Sequence, residues 1–93
     1  MVVEVISWEF SLPGCTSLKE KRSVLRSVKD RLRSRFNVSV SETAFHDVHS
    51  RGEISAAWVT TDQRQSDAVA SSLDDFVASH ARAVLVGTRR ERL

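Results

Sequence analysis

The chain has 93 residues, 41% of them hydrophobic and 28% charged, with 14 Lys and Arg against 12 Asp and Glu. This length suits one domain over residues 1–93 and excludes a second core, because so short a chain buries only about 60–65% of its unfolded surface. No apolar run approaches the roughly 20 residues that cross a bilayer, so no membrane partner is expected. The lone Cys15 excludes an internal disulfide and a multi-cysteine zinc site. Met1-Val2-Val3-Glu4-Val5-Ile6 reads as a strand rather than an export signal, and the expected location is the cytoplasm.

The net charge of +2 conceals an uneven distribution. Residues 17–35 hold eight of the 14 basic residues against Glu20 and Asp30, a segment charge of +6, and the remainder carries −4. A mildly acidic body with one basic helix is the better description.

Residues 2–12 alternate with period two, Ile6, Trp8, Phe10 and Leu12 on one side and Ser7, Glu9 and Ser11 on the other, which predicts a half-buried strand. Pro13-Gly14 ends it. Ser17 with Glu20 three residues on has the form of a capping box, opening a helix from Leu18 to about Ser34. At 100° per residue, Leu18, Val24, Leu25, Val28 and Leu32 share an apolar arc of about 120°. Lys19, Arg22, Arg26, Lys29 and Arg33 share a neighbouring arc of about 80°. Residues 36–45 alternate again, and His46–Gly52 is a polar turn leading to a strand from Glu53 to Thr61. Asp62 and Gln65 form a second cap-like start, for a helix over about 63–79 that buries Val69, Leu73, Phe76 and Val77 and turns Asp67, Asp74 and Asp75 outward. A last strand is expected over about 81–88, with a polar tail from Arg89 to Leu93 that frays.

This βαββαβ order predicts a ferredoxin-like α+β sandwich: a four-stranded antiparallel sheet with two helices on one face. The serine-rich strand sides, with Ser7, Ser39, Ser41 and Ser55, should form the other face.

The stretch from Leu12 to Glu42, with Pro-Gly-x-x-Ser-Leu-Lys-x-Lys-Arg at 13–22 and Arg-x-Arg-Phe-Asn-Val-Ser-Val at 33–40, resembles the YlxP-like family of small bacterial proteins. The resemblance implies a ferredoxin-like fold and a translation or ribosome-maturation setting, and it supplies no catalytic residue. His46-Asp47-Val48-His49 departs from the acidic, tryptophan-containing turn that the resemblance leads one to expect.

The basic helix is the leading functional feature. Lys19, Arg22, Arg26, Lys29 and Arg33, with Lys21 near the helix start, are the candidate contacts to nucleic acid or another anion. The competing reading is a solvated face whose Lys and Arg stems cover the edges of the apolar stripe, with some charges paired to Asp67, Asp74 or Asp75. The Pro13–Ser17 turn could hold a small anion at a helix start, or be an ordinary cap. Base stacking on the sheet, as in RNA-recognition motifs, is rejected because Trp8, Phe10 and Trp58 fall on the core side. His46, Asp47 and His49 do not have metal-site spacing, Cys15 has no identifiable base, and Asp74-Asp75 diverge by 100°. No catalytic, metal or cofactor site is therefore assigned. The expected function is non-enzymatic binding of RNA or the ribosome. The alternative is a protein–protein or small-anion regulatory module. Val3, Val5, Ala57 and Val59 on the open sheet face also suggest a homodimer.

Overall fold

The structure is a computed structural model that describes residues 1–80 and 82–93. Six elements follow one another: β1 (Val2–Ser11), α1 (Leu18–Arg35), β2 (Ser39–Ala44), β3 (Arg51–Thr60), α2 (Gln63–Ala78) and β4 (Val84–Arg92). The strands form one antiparallel sheet of order β2-β3-β1-β4, so the fold is the ferredoxin-like α+β sandwich that the alternation predicts. β1 and β3 pair without a break from Val2 opposite Thr60 to Ser11 opposite Arg51. A bulge between Glu9 and Phe10 shifts the register of β1 against β4.

Period-two patterning fixes which face is covered. Ile6, Trp8, Phe10, Ile54, Ala56 and Trp58 are buried from the sheet, against Val24, Leu25, Val28 and Leu32 of α1 and Ala70, Leu73 and Val77 of α2. Each large apolar side chain buried this way contributes roughly 1.5–3 kcal/mol. A Cβ on Gly52 would lie 2.9 Å from Leu25 Cδ1, so the glycine lets α1 close onto β3. The two indoles also fix α2 in place: Trp8 Nε1 donates to Asp74 Oδ1 at 2.9 Å, and Trp58 Nε1 to Ser66 Oγ at 2.9 Å.

Both helices begin as the caps predict, with modified return bonds. Ser17 Oγ accepts from the Glu20 N–H, but the Glu20 carboxylate accepts from Thr16 Oγ1 at 2.9 Å and makes only half a capping box. Asp62 accepts from the Gln65 N–H at 2.8 Å, and Gln65 Oε1 reaches back to Thr61.

Three expectations need correction. The stretch expected as a strand from residue 36 begins at Ser39, because Phe36 still caps α1 by donating its N–H to the Leu32 carbonyl. The last strand is not 81–88 with a fraying tail. It runs from Val84 to Arg92, paired with β1 down to Arg92 opposite Glu4, and residue 81, where it was expected to start, lies outside the described residues. Asp74 is not simply turned outward, since it is half-buried and holds the Trp8 indole.

Candidate nucleic-acid interface

The proximity of α1 to the edge strand β2 follows from the apolar arc of the helix, which turns the adjoining cationic arc toward that edge. A cavity of about 240 Å³ lies there, lined by Arg22, Leu25, Arg26, Lys29 and Glu42. Lys19, Arg22 and Arg26 are exposed and Lys29 is half-buried. Among the described residues none of these four is ion-paired. Arg33 is half-exposed and already engaged: it donates from Nη2 to the Val40 carbonyl at 2.7 Å and lies 3.6 Å from Asp30.

Lys21 does not join the surface set. It is 1% exposed, donates to the Phe45 carbonyl, and sits 3.7 Å from Glu42 Oε2. Its stem fills the apolar arc with Val24, Leu25 and Val28, while its ammonium ties α1 to the end of β2. The helical wheel held this signal, because Lys21 stands three residues before Val24 and four before Leu25. Phe45 takes φ of +60°, a left-handed turn that brings its carbonyl to the ammonium and its ring beneath Arg51, 5.2 Å from the guanidinium carbon.

Glu42 forms the floor of this cleft. Its Oε1 lies 3.8 Å from His46 Nε2, which also approaches the Glu42 carbonyl at 3.3 Å. The acids of α2 do not neutralise α1: Asp74 serves Trp8, and Asp67 pairs with Arg90 of β4. The basic flank thus stays solvated, without pairing to Asp67 or Asp74, and shares its cavity with Glu42.

Sequence reasoning passed over a second polar cluster. Glu4 lies on the buried side of β1, 2% exposed, and accepts from Arg90, Gln63 and Ser66. The hydrogen bonds from Arg90 hold its carboxyl well below the usual range, at about 2, against the opposing effect of burial. Hydrogen bonds from Gln63 and then Arg90 lower Asp67 in turn, and the same two carboxylates raise Arg90. With every acceptor satisfied, this cluster joins β1, α2 and β4 and leaves nothing free for a substrate.

The open face of the sheet has a polar end and an apolar end. Ser7, Ser55 and Thr43 hydrogen-bond across three strands, at 2.7 Å for both Ser7–Ser55 and Thr43–Ser55. Glu9 and Glu53 stand directly opposite each other, and Arg51 pairs with the first while Arg89 lies 3.3 Å from the second. At the other end Val3, Val5 and Ala57 are half-buried and Val59 is 63% exposed.

Cys15 is buried, and His49 Nδ1 lies 3.0 Å from its carbonyl oxygen. Trp8, Phe10 and Trp58 are all buried on the helix-covered side of the sheet, away from the face on which recognition-motif aromatics stack bases. Among the described residues no group of three or more His, Cys, Asp or Glu is placed to hold a metal ion, and no helix is long and apolar enough to cross a membrane.

Fold and site together define a small ferredoxin-like protein with a cationic helix flank. The family described as "Protein of unknown function (DUF503)" matches over residues 3–90, and the chain belongs to it. The chain is also similar to a Bacillus subtilis (strain 168) protein described as "Uncharacterized protein YlxP", with 33% identity over 75 residues, covering 81% of this chain and 82% of that one.

Proposed function

We propose that this is a non-enzymatic binding protein that contacts RNA, in a ribosomal or ribosome-maturation setting, through the β2-side flank of α1. The observation that carries this reading is the row of Lys19, Arg22, Arg26 and Lys29, unpaired among the described residues, along one side of a rigid helix. The row spans about 15 Å at 1.5 Å per residue, enough to meet several backbone phosphates. Arg33 extends the positive potential at the far end while remaining tethered to Val40. Phosphate contact of this kind releases counterions, so binding is salt-dependent and largely sequence-independent.

Sedimentation of native lysate through sucrose at low and moderate salt tests the reading. Co-migration with ribosomal subunits that weakens as salt rises, and that is lost in the R22E/R26E variant, supports it. Migration at the top of the gradient under both conditions, or co-migration that survives the double reversal, overturns it.

A second reading rests on the apolar end of the sheet. Val59, at 63% exposure beside Val3, Val5 and Ala57, favours a homodimer or a protein partner on the open face. Equilibrium sedimentation of V59E against the unmodified chain tests it. A dimer that the substitution splits supports the reading, and a monomer at all concentrations removes the homodimer.

A further inference from the structure

The cavity between α1 and β2 holds charges of both signs. Arg22, Arg26 and Lys29, at positions i, i+4 and i+7 on one side of α1, line it with Leu25 and with Glu42 of β2. A carboxylate repels phosphate and is out of place in a cleft that holds only a nucleic-acid backbone. Nor does Glu42 neutralise the three cations. Among the described residues its charged neighbours within 4 Å are Lys21 and His46, and Arg22, Arg26 and Lys29 pair with no carboxylate.

The two oxygens of Glu42 differ. Oε2 is shut off from solvent, 3.7 Å from the buried Lys21 ammonium, with no hydrogen-bond partner among the described residues. Oε1 is not shut off in this way, and it too accepts no hydrogen bond among the described residues. His46 Nε2, at 3.8 Å from Oε1, stands beyond hydrogen-bond reach. Lys21 is itself fixed by donating to the Phe45 carbonyl. A buried ammonium thus holds one side of the carboxylate, and Oε1 remains to accept a hydrogen bond from a ligand.

We propose that Glu42 gives this flank a base preference, Oε1 accepting from the exocyclic amino group of an unpaired RNA base, so that cytosine is favoured over uracil. The inference rests on the RNA reading of the flank, with the strand's phosphates along Arg22, Arg26 and Lys29. Phosphate contacts position a strand without reading it, whereas a carboxylate is a natural acceptor for cytosine N4. Uracil has the same size but presents a carbonyl oxygen at that place, which the carboxylate repels. The three cations extend over about 10 Å of helix at 1.5 Å per residue, more than one phosphate occupies, which suits a strand better than a free nucleotide.

The test measures binding of the full chain to three five-residue RNAs by fluorescence anisotropy at one salt concentration. One is all uridine, the second has cytidine at its centre, and the third has pyrimidin-2-one there, which is cytosine without its amino group. The cytidine strand should bind about tenfold more tightly than the other two, the size of one hydrogen bond to a charged acceptor. E42Q should bring the three affinities together, because its amide also offers uracil a donor, and far-UV circular dichroism checks that it is folded. The pyrimidin-2-one strand removes the same hydrogen bond without altering the protein, so the test does not depend on how well E42Q folds. Equal affinity of the unmodified chain for all three strands, still weakened by R22E/R26E, overturns the base preference alone. Discrimination that persists in folded E42Q overturns the role of Glu42. Cytidine 5′-monophosphate binding as tightly as the cytidine strand overturns the strand as ligand, and binding of none of the three RNAs overturns the base preference together with the RNA reading.

Discussion

Glu4 and Arg90 stand 86 residues apart in the sequence and are joined by two hydrogen bonds, at 2.5 Å to Oε2 and 2.9 Å to Oε1. The contact places a carboxylate on the core side of the sheet and obliges the last strand to continue to Arg92. Four predictions follow from this and related contacts.

Stability should fall in acid through Glu4. Its carboxyl is lowered from 4.5 to about 2, first by the hydrogen bonds from Arg90, so the unfolded chain binds the proton more readily. The contribution, on the order of 3 kcal/mol, is complete at neutral pH, begins to decline below about pH 4.5 and is lost by about pH 2. E4Q should lose about 2–4 kcal/mol at pH 7, because it leaves Arg90 facing a neutral group. It should also flatten the acid limb. Urea unfolding at several pH values measures both effects, and an unchanged acid limb would contradict the assignment.

Lys21 should matter to folding and its neighbour Arg22 should not. K21A leaves the Phe45 carbonyl and Glu42 without their ammonium and empties part of the apolar arc, for a loss of about 2–4 kcal/mol. R22A should change stability by less than about 0.5 kcal/mol. Equal effects in thermal melts of the two variants would show that Lys21 is not buried in solution.

Two glycines should respond differently to an added methyl group. At Gly52 it would meet Leu25 Cδ1 at 2.9 Å, and nothing lies within 4 Å at Gly14. G52A should cost about 1–3 kcal/mol through overpacking, whereas G14A should be neutral or slightly stabilising. Comparing the two denaturation midpoints checks the closeness of α1 to β3.

Binding to a short single-stranded RNA, read by fluorescence anisotropy, should weaken linearly in log–log form as salt rises. R22E/R26E should reduce that slope by about 1.4 if each arginine meets one phosphate. A slope that does not change would place the RNA elsewhere on the surface.

Much of the fold could be read from the sequence because the two periodicities are clean. The Ile6-Trp8-Phe10-Leu12 alternation and the Val24, Leu25, Val28, Leu32 spacing assign each element a single buried side. The errors arose where polar residues occupy those buried sides. Glu4 continues the Val2-Ile6-Trp8 face and Lys21 continues the Leu25-Val28 arc, but each needs a partner from a distant segment to be tolerated there. Arg90 is that partner for Glu4, and it belongs to an edge strand charged on both sides, so residues 89–92 show no alternation. For the basic flank the sequence supplied the residues but not the pairing. Only the packing assigns Asp67 to Arg90 and Asp74 to Trp8, away from α1.

The tether from Arg33 to Val40 has a further consequence when taken with the approach of His46 to Glu42. Val40 and Glu42, two residues apart on β2, turn their carbonyls the same way, and both carbonyls are met by side chains of this chain. A strand arriving at that border finds these two acceptors already engaged, which blunts the β2 edge of the sheet against strand addition.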